Sequence, residues 1–252
     1  MDDWRPLVPE VAAWLRDARS VGVLTGAGIS TDSGIPDFRG PQGVWTKDPK
    51  AERLATLSHY LADPDTRRRA WRSRLDSPMR NAAPNDGHRA LVALERRGNL
   101  AGIVTQNVDG LHQAAGSDPD RVVEVHGNGR ATRCVRCRDE RPMEETLERV
   151  RAGEEDPLCL VCGGILKSAT IMFGESLDPD VIDRAQDIAA TVDVFLVAGS
   201  SLTVHPAAAL APTARHHGAR LVIVNLEPTP YDGVADAVLT APLSESLPLL
   251  AL

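Results

Sequence analysis

The chain holds four cysteines, arranged as Cys134-x-x-Cys137 and Cys159-x-x-Cys162. Each pair can grip one side of a tetrahedral Zn²⁺, with thiolates about 2.3 Å from the metal. Two pairs that use every cysteine in the chain point to one Cys₄ site. Four thiolates leave no coordination position for water or substrate. One structural zinc is therefore expected, with the chemistry placed elsewhere. Shortly before the first pair stands His126-Gly127, directly after the apolar run Val122 to Val125. An imidazole titrates near neutral pH, and at the end of a strand it suits a general base.

Two further stretches carry polar groups at strand ends. Gln106, Asn107 and Asp109 follow the apolar run Ala101 to Thr105. The run Val21 to Leu24 leads into Gly26-Ala27-Gly28, where glycines permit close approach of backbone to a phosphate. Thr31 stands where the dinucleotide fingerprint has its third glycine. Gly34-Ile35-Pro36-Asp37-Phe38-Arg39-Gly40 comes next, a Gly- and Pro-punctuated loop suited to closing over a ligand.

Positioning these groups requires alternating elements. Apolar residues at Val8, Val11, Ala12, Leu15 and Ala18 have helical spacing. Strand-like runs recur at Val194 to Ala198, Leu221 to Asn225 and, more weakly, Ala237 to Thr240. Helices are predicted from Asn85 or Asp86 to Arg97, from Asp178-Pro179, and from Pro206 to near Gly218. Continuously apolar strands alternating with helices predict an α/β fold with a Rossmann-like, doubly wound parallel sheet. Residues 41–83, Arg-rich and helical in flavour, and residues 129–167, which carry the cysteines, interrupt the alternation. The expected organisation is a nucleotide-binding domain of residues 1–40, 84–128 and 168–252, with a helical insertion at 41–83 and a zinc-binding module at 129–167.

A chain of 252 residues with 42% hydrophobic composition can bury one large core and a small satellite. A net charge of −7 argues against a general nucleic-acid binder. Neither a charged-then-apolar leader nor an apolar run near 20 residues is present, so no membrane association is expected. Cysteines that look metal-bound rather than disulfide-bonded suit a reducing cytoplasm.

Gly26-Ala27-Gly28-Ile29-Ser30, the Gly34 to Gly40 loop, Pro84-Asn85-x-Gly87-His88, Thr105-Gln106-Asn107-x-Asp109-Gly110-Leu111-His112, His126-Gly127, the cysteine pairs, Phe173-Gly174-Glu175 and Gly199-Ser200-Ser201-Leu202 occur in one order. In this set and order the chain resembles the sirtuins, NAD-dependent protein lysine deacylases, from about residue 18 to residue 240. The resemblance implies that NAD⁺ and an acyl-lysine peptide meet in a cleft between a large Rossmann-like domain and a small zinc module. It implies attack of the acyl oxygen on C1′ of the nicotinamide ribose, loss of nicotinamide, and a covalent imidate. His126 would then deprotonate a ribose hydroxyl, giving deacylated lysine and 2′-O-acyl-ADP-ribose.

By the same resemblance, Asn107 and Asp109 hold the nicotinamide end and Gln106 its ribose. Gly26, Ala27, Gly28, Asp37, Phe38 and Arg39 form the cofactor loop, with Phe38 shielding C1′. Gly199, Ser200 and Ser201 lie near the phosphates, where the family commonly has a Thr-Ser pair. Asn225 and Glu227 lie at the adenine ribose. Phe173, Gly174 and Glu175 offer backbone pairing to an extended peptide.

Two departures stand out. Leu166-Lys167-Ser168 replaces the family's frequent Leu-Arg-Pro, which bears on the substrate strand. Trp71-Arg72-Ser73-Arg74 aligns with the Tyr-x-x-Arg pair of succinyl- and malonyl-removing relatives. Arg74 keeps the guanidinium, whose fork suits a carboxylate, while Trp71 can only donate. Acetyl-lysine is therefore expected to be accepted well and succinyl-lysine less so. Rival readings are mono-ADP-ribosyl transfer to protein, a zinc-containing dehydrogenase, which would need the full glycine fingerprint, and a zinc-ribbon interaction module. The last gives no reason for Gln106, Asn107, Asp109 and His126 to gather at strand ends.

Overall fold

The computed structural model describes residues 3–37, 40, 43–47 and 53–252. The first elements are α1 (Val8–Asp17), β1 (Val21–Thr25), the short α2 (Val44–Lys47), α3 (Leu57–Ala62), α4 (Pro64–Leu75), α5 (Asp86–Arg96) and β2 (Leu100–Thr105). Then come α6 (Leu111–Ala115), β3 (Val122–Glu124), β4 (Gly127–Cys134), β5 (Glu140–Pro142), α7 (Met143–Arg151) and β6 (Leu166–Thr170). The chain closes with α8 (Pro179–Thr191), β7 (Val194–Ala198), α9 (Leu210–His216), β8 (Arg220–Val224), β9 (Ala237–Leu239) and α10 (Leu243–Leu250).

Six strands form a parallel sheet in the order β3-β2-β1-β7-β8-β9. Every residue of β1 and β7 is buried, as continuous apolar runs require when helices cover both faces. Alternation divides the strands between two cores. Val21, Val23, Leu196 and Val222 pack against Val11, Leu15, Leu91, Leu94 and Leu247 from α1, α5 and α10. Leu24, Phe195, Val197 and Ile223 pack against Ala185, Ala189, Leu210 and Ala214 from α8 and α9.

Local chemistry starts the helices. Asn85 accepts from the N–H groups of Gly87 and His88, and His88 returns the bond, closing a capping box. Asp63 and Asp178 cap α4 and α8, each with proline at the first helical position. The stretch after Pro206 differs from the single predicted helix: it opens as a 3₁₀ turn, Ala207–Ala209, before α9 begins.

The three remaining strands form an antiparallel sheet, β5-β4-β6. Trp71 of α4 is buried with Cys134, Met143, Leu147, Cys159 and Leu166, so the helical insertion and the cysteine-bearing segment share one small core. Polar links join them as well. The Tyr60 hydroxyl donates to the Leu166 carbonyl at 2.8 Å, and Arg67 forms a mostly buried pair with Asp156 at 2.8 Å.

Candidate functional site

The chain leaves β1 in one direction toward β2 and later returns to β7 on the other side, so a crevice opens at the carboxyl ends of these strands. Gly26 follows β1, Gln106 follows β2 and Gly199 follows β7. A Cβ on Gly26 would lie 2.6 Å from the Gly199 carbonyl oxygen, and one on Gly28 would lie 2.8 Å from Gly199 Cα. These glycines therefore let two strand-end loops touch backbone to backbone, a tighter demand than ligand approach alone. The Gly28 N–H donates to the Gly199 carbonyl at 2.9 Å.

Around this contact runs a buried polar network. Gln106 Nε2 donates to Ser200 Oγ at 2.8 Å. Asn107 Nδ2 donates to the Gly26 carbonyl at 3.0 Å and meets Ser30 Oγ at 3.1 Å. The Ser30 hydroxyl donates to Asp109 Oδ2 at 2.7 Å, and Asp109 Oδ1 accepts from the Leu111 N–H at 2.9 Å. Both Asp109 oxygens thus already brace the loop. Beneath lies a chain of hydroxyls in which Thr25 donates to Thr105 at 2.8 Å, and Thr105 Oγ1 accepts the Asn107 N–H at 3.1 Å.

Thr25 Oγ1 also meets His112 Nε2 at 2.9 Å, and the His112 ring stands 5.1 Å from that of His88. Both rings are fully buried. Burial pushes the His88 pKa down to about 4 and that of His112 down to about 3. Both are therefore neutral structural groups, a packing and capping role in keeping with their setting.

His126 follows β3, with its ring half-buried. Its Nδ1 lies 3.0 Å from the Gln106 carbonyl oxygen. A carbonyl can only accept, so Nδ1 carries the proton and Nε2 keeps its lone pair. Burial lowers the His126 pKa and outweighs that carbonyl, which pulls it up, so burial favours the neutral imidazole a base requires. Gly127 has φ of +74°, and a Cβ there would sit 2.2 Å from the Ala169 carbonyl oxygen. Only glycine lets the chain turn from the parallel sheet into β4 so close to β6.

Ala27 opens the 3₁₀ segment Ala27–Ser33, and the Asp37 carboxylate accepts the Gly40 N–H at 3.2 Å. Phe38 and Arg39 lie outside the described residues. Ser201 pairs its hydroxyl with Thr203 at 2.9 Å. Asn225, just past β8, donates to the Glu227 carbonyl at 2.7 Å, and the Glu227 side chain is exposed. Phe173 differs from the sequence expectation of free backbone. Its N–H donates to the Ala55 carbonyl at 2.8 Å and its carbonyl accepts the Leu57 N–H at 3.0 Å.

A cavity of about 420 Å³ opens beside this site between α4, α7, β4 and β6. Val108, Arg130, Thr170 and Met172 line it on one side, and Arg74, Met143 and Leu147 on another. Arg74 forms no ion pair among the described residues and lies with its guanidinium carbon 5.1 Å from the centre of the Trp71 ring. Trp71 itself is in the small core, its indole N–H without a partner among the described residues, so the aligned pair is split: Arg74 reaches the cavity wall and Trp71 does not. Sequence reasoning missed Arg130, whose Nε donates to the Asp109 carbonyl at 2.6 Å. It also missed the Thr25–Thr105 link, although both residues end an apolar strand at paired positions.

The four cysteine sulfurs lie within 4.8 Å of one another, with Cys134 to Cys162 at 3.5 Å and Cys137 to Cys159 at 3.6 Å. A tetrahedron of thiolates about 2.3 Å from Zn²⁺ has edges of about 3.8 Å, so the cluster fits that metal. N–H groups of Arg136 and Cys137 point at Cys134 Sγ at 3.4 Å, completing a thiolate knuckle.

A switch-point crevice, a strand-end histidine and a closed four-cysteine cluster define a nucleotide-handling enzyme fold carrying a zinc module. The chain belongs to the Sir2 family, whose model matches residues 26–206. It is 54% identical over 230 residues to NAD-dependent protein deacetylase 2 of Streptomyces coelicolor, covering 91% of this chain and 95% of that protein. Its structure is similar to a solved Sir2 with a deacetylated p53 peptide and 3′-O-acetyl-ADP-ribose, at TM-score 0.89 and 35% identity, covering 96% of both chains. It is also similar to a Sir2, p53 peptide and NAD⁺ complex, at TM-score 0.84 and 36% identity, covering 94% of both chains.

Proposed function

We propose that this chain is an NAD-dependent protein lysine deacylase that releases nicotinamide and forms 2′-O-acyl-ADP-ribose. The observation that carries the reading is His126, neutral, proton on Nδ1 and lone pair on Nε2, fixed to the Gln106 carbonyl at the crevice. When bound, NAD⁺ supplies an electrophilic ribose carbon whose bond to nicotinamide breaks. The residues present suit that group: the Gly26–Gly199 backbone contact holds two strand-end loops together at the crevice, beside the Gln106 amide and the Ser200 hydroxyl.

His126 Nε2 takes the proton of a ribose hydroxyl, as general base. Gln106 fixes both His126, through its carbonyl, and Ser200, through its side chain. Asn107 and Asp109 shape the nicotinamide end, Asp109 acting through Ser30 and the turn it braces. Gly199, Ser200 and Ser201 serve the phosphates, and Asn225 and Glu227 the adenine ribose. Ala27, Asp37, Phe38 and Arg39 belong to the loop over the cofactor. With 1–40, 84–128 and 168–252 as the nucleotide-binding domain and 41–83 and 129–167 as its helical and zinc-binding partners, the cleft for both substrates lies between them. One Zn²⁺ on Cys134, Cys137, Cys159 and Cys162 supplies structure, since four thiolates close its coordination shell.

The partner is a protein carrying acylated lysine, whose extended segment lies along the Phe173–Gly174–Glu175 turn and pairs at Gly174, since Ala55 and Leu57 hold the Phe173 backbone and Met172 holds the Glu175 N–H. Acetyl-lysine is the better substrate and succinyl-lysine a weaker one held by Arg74. Among the described residues no helix is long and apolar enough to cross a membrane, and a cytoplasmic setting agrees with thiolates held as metal ligands. The deciding experiment incubates the protein with NAD⁺ with and without an acetyl-lysine peptide. Nicotinamide should appear only with the peptide, together with acyl-ADP-ribose. Label from NAD⁺ on protein, without acyl release, would favour mono-ADP-ribosyl transfer instead.

A further inference from the structure

Lys167 is one of three lysines in the chain and its side chain is only 5% exposed. Its ammonium contacts Glu175 Oε2 at 2.9 Å, the Thr170 carbonyl at 2.6 Å and the Ser168 carbonyl at 3.2 Å, which accounts for all three donors. Glu175 in turn binds the same turn twice. Its Oε2 accepts the Met172 N–H at 3.1 Å, and its own N–H donates to the Met172 carbonyl at 2.9 Å. Residues 167–175 are thus closed into a clip by side chain and backbone together.

The clip sits between the base and the cavity. The Ile171 N–H donates to the His126 carbonyl at 2.8 Å, while Thr170, Ile171 and Met172 line the cavity. Phe173 joins the clip to Ala55 and Leu57. Gly174, with φ of +84°, has open space where a Cβ would be. A buried ion pair contributes little net stability over an apolar pair of like volume, so its consequence is where it holds the chain.

We propose that Lys167 is a positioning residue for the acylated peptide: with Glu175 it fixes the Thr170–Gly174 turn against which the substrate binds. This rests on the deacylase reading above. Removing one partner alone leaves a buried charge and destabilises the protein. The test therefore uses the double variant Lys167→Met/Glu175→Met, expected to fold, together with Lys167→Arg and Glu175→Gln. Binding of a fluorescein-labelled acetyl-lysine peptide is read by anisotropy without NAD⁺, alongside KM for NAD⁺ and zinc content.

The double variant should bind peptide about tenfold more weakly, with KM for NAD⁺ and zinc unchanged, and Lys167→Arg should stay within about twofold of wild type. Glu175→Gln should fall between them. A folded double variant with wild-type peptide affinity overturns the proposal. So does a parallel loss of peptide, NAD⁺ and zinc, which is what a merely structural pair produces. Wild-type protein that binds no acetyl peptide and releases no nicotinamide with it would instead sink the deacylase reading itself.

Discussion

In the parallel sheet, β1 and β7 are buried along their whole length and two apolar cores cover the two faces. In the antiparallel sheet, β5 has no fully buried residue, and the small region's buried core consists of two clusters, Trp71, Met143, Leu147, Leu166 and two cysteines in one, and Tyr60, Ala70 and Met172 in the other. Burial of apolar area drives the first region. A core as small as the second stands below what apolar burial alone sustains, so a metal held by the four cysteines completes it, while the ion pairs near it fix geometry and add little stability. The cysteine cluster, the Arg67–Asp156 pair and the Lys167–Glu175 pair all lie in or beside it. The chemistry divides the same way. The large sheet presents a braced polar network, and the small region presents a cavity whose Arg74 has no ion pair among the described residues.

The most severe way to break this contrast is to remove the metal. Structural zinc binding contributes about 10–16 kcal/mol of apparent free energy that is also folding energy. Cys134→Ala or chelation should therefore raise amide exchange throughout β4, β5 and β6 while leaving β1 and β7 protected, and should abolish turnover. About one zinc per chain should be found in active protein. Unchanged exchange in a metal-free, active protein would show that the small core stands by itself.

His126→Ala attacks the large sheet's edge instead. Turnover should fall about 10²–10⁴-fold, with NAD⁺ affinity and the melting temperature near wild type. Calorimetric titration with NAD⁺ separates this from a binding defect. Near wild-type turnover would remove His126 from the mechanism.

Acid should strain the large sheet through His88 and His112. Their folded pKa values, about 4 and about 3, lie below that of an exposed imidazole. The unfolded chain therefore takes up protons first as pH falls below about 6.5. The stability these neutral rings allow is fully present above that pH and is lost as pH falls toward about 3. The slope is on the order of 1 kcal/mol per pH unit for each ring. Urea melts of wild type and His112→Gln between pH 7 and pH 5 should converge on acidification, and parallel curves would exclude His112 as a source.

The mildest test concerns the cavity. Arg74→Met should lower kcat/KM for a succinyl peptide severalfold and leave an acetyl peptide within about twofold, the scale of one partly screened charge contact. Succinyl activity that dominates and survives the substitution would remove Arg74 from acyl selection.

Much of this was open to reading because it depends on local or compositional rules. A strand covered on both faces must be continuously apolar, so β1, β2, β7 and β8 show themselves. Caps act over three residues, so Asn85 and Asp178 mark helix starts. Four thiolates in two short-spaced pairs identify a metal cluster without coordinates.

What the tertiary structure alone decided is where side chains separated by many residues meet. Trp71 and Arg74 share a helix face in the chain's own register, yet one fills the small core and the other reaches the cavity, because packing against Leu147 and Leu166 sets the helix's rotation. Thr25, Thr105 and His112 join across 80 and 87 residues, and Lys167 finds Glu175 around a turn with no periodic signature. The irregular register between Asn128 and Thr132 in β4 holds Arg130, which lines the cavity. Such pairings obey no local period: the Thr25, Thr105 and His112 contacts form only when the sheet order sets β1 beside β2, and the Lys167–Glu175 pair only when the turn after β6 closes.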